Sequence, residues 1–279
     1  MKTNSPSVYK KLDSDKFDDS NIISDVTTEV SDWIAERVKE LDTLKKQELY
    51  RKEYVGNVSH ELKTPIFNIQ GYIETLLDGG LEDTTVNRKY LENASRAINR
   101  MITIVSDLET ISGLESGNLI IKPEIFDICA LCSEVIESQE ILASSKKIRI
   151  LLKPFSGNNA LVLADKRWIM QVITNLVVNS IMYGRENGTT KIQFLDMEHS
   201  ILVDVKDTGI GIEPADQKRI FERFYSVDKS RSRNSGGTGL GLSIVKHVLD
   251  AHGKSITVHS EPGKGTSFTF TLDKPPINA

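Results

Sequence analysis

The chain has 279 residues, of which 39% are hydrophobic and 27% charged, with a formal net charge of −4. That length suits two domains that each bury their own core, and the composition excludes a disordered or fibrous chain. The weak negative charge gives no electrostatic basis for direct nucleic-acid binding, which rests on clustered Lys and Arg; with no apolar run near the roughly 20 residues that span a bilayer and no secretory signal, the chain as it stands reads as soluble.

Residues 1–24 are rich in Ser, Asp, Lys and Asn and read as a flexible tail or linker. Over 26–79 apolar residues recur at spacings of three, four or their multiples, from Val30, Ile34, Val38, Leu41 and Leu44 to Val55, Leu62, Ile66, Ile69, Ile73 and Leu76, which predicts one long helix. Its first part, 25–50, carries a heptad-like stripe from Val30 to Leu44. Pro65 removes a backbone hydrogen bond and crowds the preceding turn, so a kink is expected there. Gly79 and Gly80 end the helix, Asp83 to Thr85 can cap another, and Leu91, Ala94, Ile98, Met101, Val105 and Leu108 carry a second apolar series. The resulting hairpin, 51–117, buries its two stripes best by pairing into a four-helix bundle, so a homodimer is expected.

Beyond Gly113 and Gly117 strands and helices alternate, which predicts a second domain over 118–275. A strand pair is expected over 120–126, a helix capped by Asp127 to about Ser145, strands at 148–152 and 161–164, and a helix capped by Asp165 to about Tyr183. A hairpin over 191–195 and 201–206, a helix over 240–252 and closing strands at 255–259 and 267–272 complete an α/β sandwich. Cys129 and Cys132 are the only cysteines. A structural zinc needs two further ligands, which no second Cys/His cluster supplies, and a thioredoxin-like site needs a strand leading into the motif. Both thiols instead fall with Ile128, Leu131 and Val135 in one helical segment, which favours buried core cysteines.

Four clusters could carry chemistry. His60 and Thr64, four residues apart, share a helix face, and Glu61 sits about 100° further round, close enough to touch the imidazole. A neutral imidazole can attack phosphorus while a carboxylate holds its second nitrogen protonated and aimed. Asn175 and Asn179 also share a helix face, and an amide oxygen suits Mg²⁺, which binds through few protein groups plus phosphates. In Asp207-Thr208-Gly209-Ile210-Gly211 the glycines allow close approach of a planar base, and Asp207 can accept a hydrogen bond from the adenine amino group. Gly236-Gly237-Thr238-Gly239-Leu240-Gly241 opens the 240–252 helix, whose free amides can bind phosphate. It lacks the G-K-[ST] ending of a Walker A loop and the preceding strand of a Rossmann fingerprint. Singly, these clusters have bland readings: a surface histidine, solvated asparagines, a turn, a linker.

Their order decides otherwise. Ser59-His60-Glu61-Leu62-Lys63-Thr64-Pro65 resembles the phosphoacceptor box of sensor histidine kinases; Asn175 to Asn179 resembles their N box, and 207–211 and 236–241 their first two glycine boxes. Ile220-Phe221-Glu222-Arg223-Phe224-Tyr225 resembles the F box, and Gly263-Lys264-Gly265-Thr266 a final glycine box. The resemblance extends over about residues 50–272. It implies a helical-hairpin domain forming a dimeric four-helix bundle, followed by the α/β sandwich ATP-binding domain shared with gyrase, the Hsp90 chaperones and MutL proteins. It implies ATP and Mg²⁺, with Asn179 at the magnesium, and nucleotide contacts from Asn175, Asn179, Tyr183, Asp207, Gly209, Gly211, Gly237, Thr238, Gly239, Leu240, Gly241 and Thr266. Lys229, Arg231 and Arg233 would belong to a basic lid that orders around the phosphates.

Within the same resemblance His60 is phosphorylated, Glu61 activates it, and Thr64 helps position water for dephosphorylating the partner. That partner is a response regulator, whose receiver-domain aspartate takes the phosphoryl group. A sensor module and membrane spans are implied ahead of the bundle, with this portion on the cytoplasmic side of the bacterial inner membrane. Two positions depart from the family pattern. Met182 and Ser226 stand where Lys and Arg are usual, which removes charge from a reaction that depends on it. Arg185, Lys229, Arg231 and Arg233 are the candidates to replace that charge, and a slow kinase is expected. Two other readings compete: an ATP-driven conformational machine that does not need His60, and a nucleotide-sensing scaffold or phosphatase-dominant protein.

Overall fold

The computed structural model describes residues 19–115, 120–157, 159–227 and 237–276. The chain divides into two units, Met1–Gly56 and Asn57–Ala279. The first contains the beginning of helix α1 (Asp19–Thr75), which exposes Val30, Trp33, Ile34, Val38, Leu41 and Leu44. The helix starts within the expected tail. The expected tail up to residue 18 lies outside the described residues.

In the second unit α1 continues through the buried Pro65 to Thr75, so the proline does not end the helix. A single π-helical turn, Leu76–Gly80, follows, with Gly79 at φ +104° and the Leu81 N–H donating to the Leu76 carbonyl at 2.9 Å. Asp83 then organises the turn into helix α2 (Asn87–Glu115), its Oδ1 accepting from the Thr85 N–H (2.8 Å) and hydroxyl (2.6 Å). Tyr72 and Tyr90 meet across the two helices with ring centroids 5.8 Å apart. Leu76, Ala94, Ile104 and Ile111 are buried, while Ile66, Ile73, Leu91, Ile98, Ile102 and Val105 remain exposed.

The remainder is a two-layer α/β sandwich. Strand β1 (Glu124–Asp127) pairs antiparallel with β3 (Leu161–Ala164). The main sheet runs in the order β2 (Arg149–Leu152), β4 (Thr189–Asp196), β5 (Ser200–Asp207), β7 (Gly265–Asp273) and β6 (Ile256–Glu261). Only β2 and β4 are parallel among these neighbours. Alternation places Ile201, Val203 and Val205 of β5 and Phe268, Phe270 and Leu272 of β7 in the core. Against them pack α3 (Ile128–Ser145), α4 (Lys166–Met182) and α5 (Gly241–Ala251) through residues such as Leu131, Ile169, Leu176, Ile244 and Val248.

Asp127 caps α3 by accepting from the Cys129 and Ala130 N–H groups at 2.7 and 3.0 Å, and Asp165 caps α4 by accepting from Trp168 N–H at 3.3 Å. The expected strand pair over 120–126 is not formed. The Lys122 N–H donates to Asp165 Oδ2 at 2.9 Å instead of to a ladder, and β1 begins only at Glu124. Cys132 is buried with Ile128, Leu131 and Val135 as expected, whereas Cys129, off that helical face, is only half-buried. Burial pushes the Cys129 thiol up to about 11 and raises Cys132 as well.

Candidate active site

Asp207 ends β5 at the floor of a cleft. Its Oδ1 accepts from the Gly209 N–H at 2.7 Å and the Thr266 N–H at 3.2 Å, so its second oxygen is the one available to a ligand's donor. Burial pushes the carboxyl pKa up, opposed by those two amide bonds. Gly211 has φ +73°, and a Cβ there would stand 2.1 Å from the Glu261 carbonyl oxygen, so only glycine fits. The Ser260 hydroxyl accepts from the Ile212 N–H at 2.8 Å, while Gln217 Nε2 donates to the Ile212 and Ser260 carbonyls at 3.1 and 2.9 Å. These bonds stitch the first glycine box to the β6–β7 turn.

The cleft holds about 670 Å³ of non-atom space, open solvent included. Asn179, Asp207 and Thr266 supply its polar groups, Ile210, Ile212, Ile220, Leu242 and Phe268 its apolar walls, and Tyr183, Tyr225 and Ser226 part of its rim. The apolar wall is invisible to motif reading, since each of its members passes for core. Asn175 is placed differently from Asn179: its Nδ2 donates to the Gly241 carbonyl at 3.1 Å, bracing the start of α5. Met182 closes α4 and Ser226 faces the cleft, so neither brings a charge. Lys229, Arg231 and Arg233 lie outside the described residues.

The F box is anchored at three points. Phe221 meets Phe268 edge-on at 6.4 Å between centroids, the Tyr225 hydroxyl donates to Asp216 at 2.6 Å, and the Arg219 guanidinium lies 4.4 Å over the Tyr225 ring. Phe224, at φ +59°, donates its N–H to the Gly239 carbonyl at 2.8 Å. Gly239 has φ +71°, and a Cβ there would come within 2.9 Å of Phe224 Cα. In the second glycine box the Thr238 hydroxyl accepts from the Leu240 N–H at 3.2 Å and donates to Asp107 Oδ2 at 2.8 Å.

On the hairpin His60 has a side-chain exposure of 63%, and its Nδ1 stands 3.7 Å from Glu61 Oε1. Glu61 Oε2 accepts from Arg100 Nη2 at 3.1 Å, and the same nitrogen donates to the Gly237 carbonyl at 3.4 Å. The Thr64 hydroxyl donates to the His60 carbonyl at 3.3 Å. Arg100 and Asp107 escaped the sequence reading. Their signal was two charges, seven residues apart, on a face otherwise made of Ile104 and Ile111.

Comparison with known proteins accounts for both halves of this site. The description "His Kinase A (phospho-acceptor) domain" matches residues 50–117, and "Histidine kinase-, DNA gyrase B-, and HSP90-like ATPase" matches 164–276. The chain belongs to the sensor histidine kinases. It is 36% identical to the sensor histidine kinase WalK of Bacillus subtilis across 81% of this chain and 37% of WalK. It is also 36% identical to the sensor-like histidine kinase SenX3 of Mycolicibacterium smegmatis, across 83% of this chain and 59% of SenX3. The chain thus spans less than two thirds of either relative. Among solved structures it is similar to the histidine kinase ThkA, crystallised in complex with the response regulator protein TrrA, with a TM-score of 0.65 and 28% identity over 81% of this chain and 63% of ThkA. As in that family, the fold is a helical region followed by the ATPase sandwich. Among the described residues no helix is long and apolar enough to cross a membrane.

The donor set suits Mg²⁺ carried by a nucleotide. Among the described residues no group of three or more His, Cys, Asp or Glu could cage a metal. The amide of Asn179, which lines the cleft, fits an ion that keeps several waters and takes its other ligands from phosphates.

Proposed function

We propose that this protein uses ATP to phosphorylate its own His60 and passes the phosphoryl group to an aspartate on a response regulator's receiver domain. An exposed His60 with an acid at its Nδ1 edge, in the same unit as a cleft floored by a buried carboxylate, supports this most directly. The Asp207 oxygen not engaged by backbone accepts from the adenine amino group, and Ile210, Ile212 and Leu242 exclude water from the ring. The amides of Gly239 and Gly241, at the start of α5, face the phosphates, while the Leu240 N–H donates to the Thr238 hydroxyl beside them. Asn179 would hold Mg²⁺, whose charge offsets that of the triphosphate.

Because Glu61 lies on the Nδ1 side, Nε2 is the nucleophile. It attacks the γ-phosphorus, the bond from phosphorus to the bridging oxygen breaks, ADP leaves, and an N–P bond forms. Glu61 holds the Nδ1 proton and offsets the charge gained by the ring. The reactive N–P bond then donates to the receiver aspartate. The exposed Thr64 hydroxyl, one turn from His60, is suited to orient water in the reverse, dephosphorylating task.

The domain division is the hairpin over 51–117 and the catalytic domain over 118–275. The apolar face left open by Ile66, Ile98, Ile102 and Val105 is the surface for a second copy, completing a four-helix bundle. With Met182 and Ser226 in place of cations, turnover is slow. Incubation with γ-³²P-ATP and Mg²⁺ labels the protein, and His60→Gln abolishes the label while leaving nucleotide binding intact. ATP hydrolysis that persists unchanged in His60→Gln, without labelling of the parent protein, identifies a conformational ATPase instead.

A further inference from the structure

We infer that Arg100 and Asp107 are positioning residues, forming a clasp on α2 that holds the second glycine box against the hairpin and keeps Glu61 engaged away from His60 until nucleotide draws the box off. The inference deepens the proposed kinase reading by naming a control on that same site.

Arg100, Ile104, Asp107 and Ile111 follow one face of α2 at spacings of four, three and four. Ile104 and Ile111 are both at 0% exposure, and Ile111 belongs to the catalytic domain's core cluster. This face of the hairpin is therefore seated on the catalytic domain. The polar members of the row take hold of two successive residues of the phosphate loop, Arg100 through the Gly237 carbonyl and Asp107 through the Thr238 hydroxyl.

Arg100 uses one nitrogen, Nη2, for both the Gly237 carbonyl and Glu61 Oε2. Glu61 is thereby 3.1 Å from Arg100 but 3.7 Å from His60 Nδ1, beyond hydrogen-bonding length for the imidazole. A phosphate group arriving at the start of α5 approaches the loop that Asp107's carboxylate already holds, and the two negative charges repel. Binding that lifts Gly237 and Thr238 from α2 uncovers the Arg100–Glu61 pair, now only about one-fifth exposed, and in water such a pair is weak, so Glu61 can leave Arg100 and close on His60. Nucleotide loading and activation of the acceptor are then one event, and by linkage the clasp weakens nucleotide binding as much as nucleotide weakens the clasp.

The first test uses the full chain with Asp107→Ala, which removes the Thr238 acceptor without altering Glu61 or His60. Affinity is read by the anisotropy of a fluorescent ATP analogue, and the initial rate by ³²P incorporation at saturating Mg-ATP. Affinity tightens by about two- to tenfold, the span of one hydrogen bond's net contribution, and the rate rises by a similar factor. Asp107→Asn keeps an oxygen for the hydroxyl but loses the charge that repels phosphate, so its affinity lies between those of the parent and Asp107→Ala, an ordering that a purely steric role for the side chain does not explain. Unchanged or weakened affinity in Asp107→Ala overturns the clasp.

The second test is a reversible lock, Asp107→Cys with Thr238→Cys. Its disulfide form incorporates at least about tenfold less ³²P than the same protein after dithiothreitol; equal rates overturn the inference. The native thiols compete poorly for oxidation, because burial raises both Cys129 and Cys132. Tighter nucleotide binding in Asp107→Ala with no ³²P in any variant leaves the clasp standing and sinks the kinase reading. Labelling of His60 that neither variant alters sinks the clasp alone.

Discussion

Apolar residues recur at helical spacing in both the hairpin and the catalytic domain, but they end in different surroundings. On α4, Ile169, Val172, Ile173, Leu176 and Val177 are at 0% exposure, sealed against the sheet. On the hairpin, Ile98, Ile102 and Val105 stay in solvent although they repeat just as regularly, and only Ile104 and Ile111 are fully covered. Periodicity reports that a face will be buried; it does not report by what. The catalytic domain completes its core from its own side chains, whereas the hairpin rests one face on the catalytic domain and leaves another in solvent, the face proposed above for a second copy.

The comparison breaks most readily in the core. Leu176→Ala removes a fully buried side chain and lowers unfolding stability by about 2–5 kcal/mol, seen as a large fall in thermal midpoint. A negligible fall would mean that α4 is not packed as described. Next comes the floor of the cleft. Asp207→Ala removes the acceptor for the adenine amino group, and nucleotide affinity drops by roughly 10- to 100-fold, as for a hydrogen bond to a charged group. Equilibrium binding of a fluorescent ATP analogue measures it, and retention of full affinity removes Asp207 from the site.

On the hairpin the expected effect is smaller and of another kind. Ile102→Ala leaves the catalytic domain's melting transition in place but weakens self-association by about tenfold, through the loss of roughly 1–1.5 kcal/mol of intermolecular burial. Sedimentation velocity over a dilution series reads this directly. A shift independent of concentration would assign Ile102 to the monomer's own packing.

The smallest effect is on pH. Burial raises the carboxyl pKa of both Asp107, at the contact between hairpin and catalytic domain, and Asp207 in the cleft. The folded state therefore holds these protons more tightly than the unfolded chain. Their stabilising contribution is complete below the ordinary carboxylate value near 4 and is lost as pH rises through the raised folded values. Thermal midpoints measured across that window should fall less with rising pH in Asp107→Asn and Asp207→Asn than in the parent protein. An unchanged slope removes the shift.

The parts of the fold that were legible in the sequence are those fixed by local chemistry. Asp127 and Asp165 announce helices because a carboxylate in extended backbone satisfies amides that the helix cannot, and both do so here. The acceptor box and Asp207 stood out in the sequence because few residue types suit the chemistry that their motifs imply. Whatever depends on distant partners was not. The strand expected over 120–126 was cut short by the Asp165 carboxylate, far along the chain. Asn175 looked like a twin of Asn179 until the Gly241 carbonyl claimed its amide. Arg100 and Asp107 carry no motif, and their roles exist only because the second glycine box comes to meet them.

The hydrogen bond from Phe224 to Gly239 ties together the two ends of the segment between the F box and the second glycine box. It also makes two walls of the cleft respond as one: a Cβ at Gly239 would come within 2.9 Å of Phe224 Cα, so a substitution in the glycine box displaces the end of the F box with it.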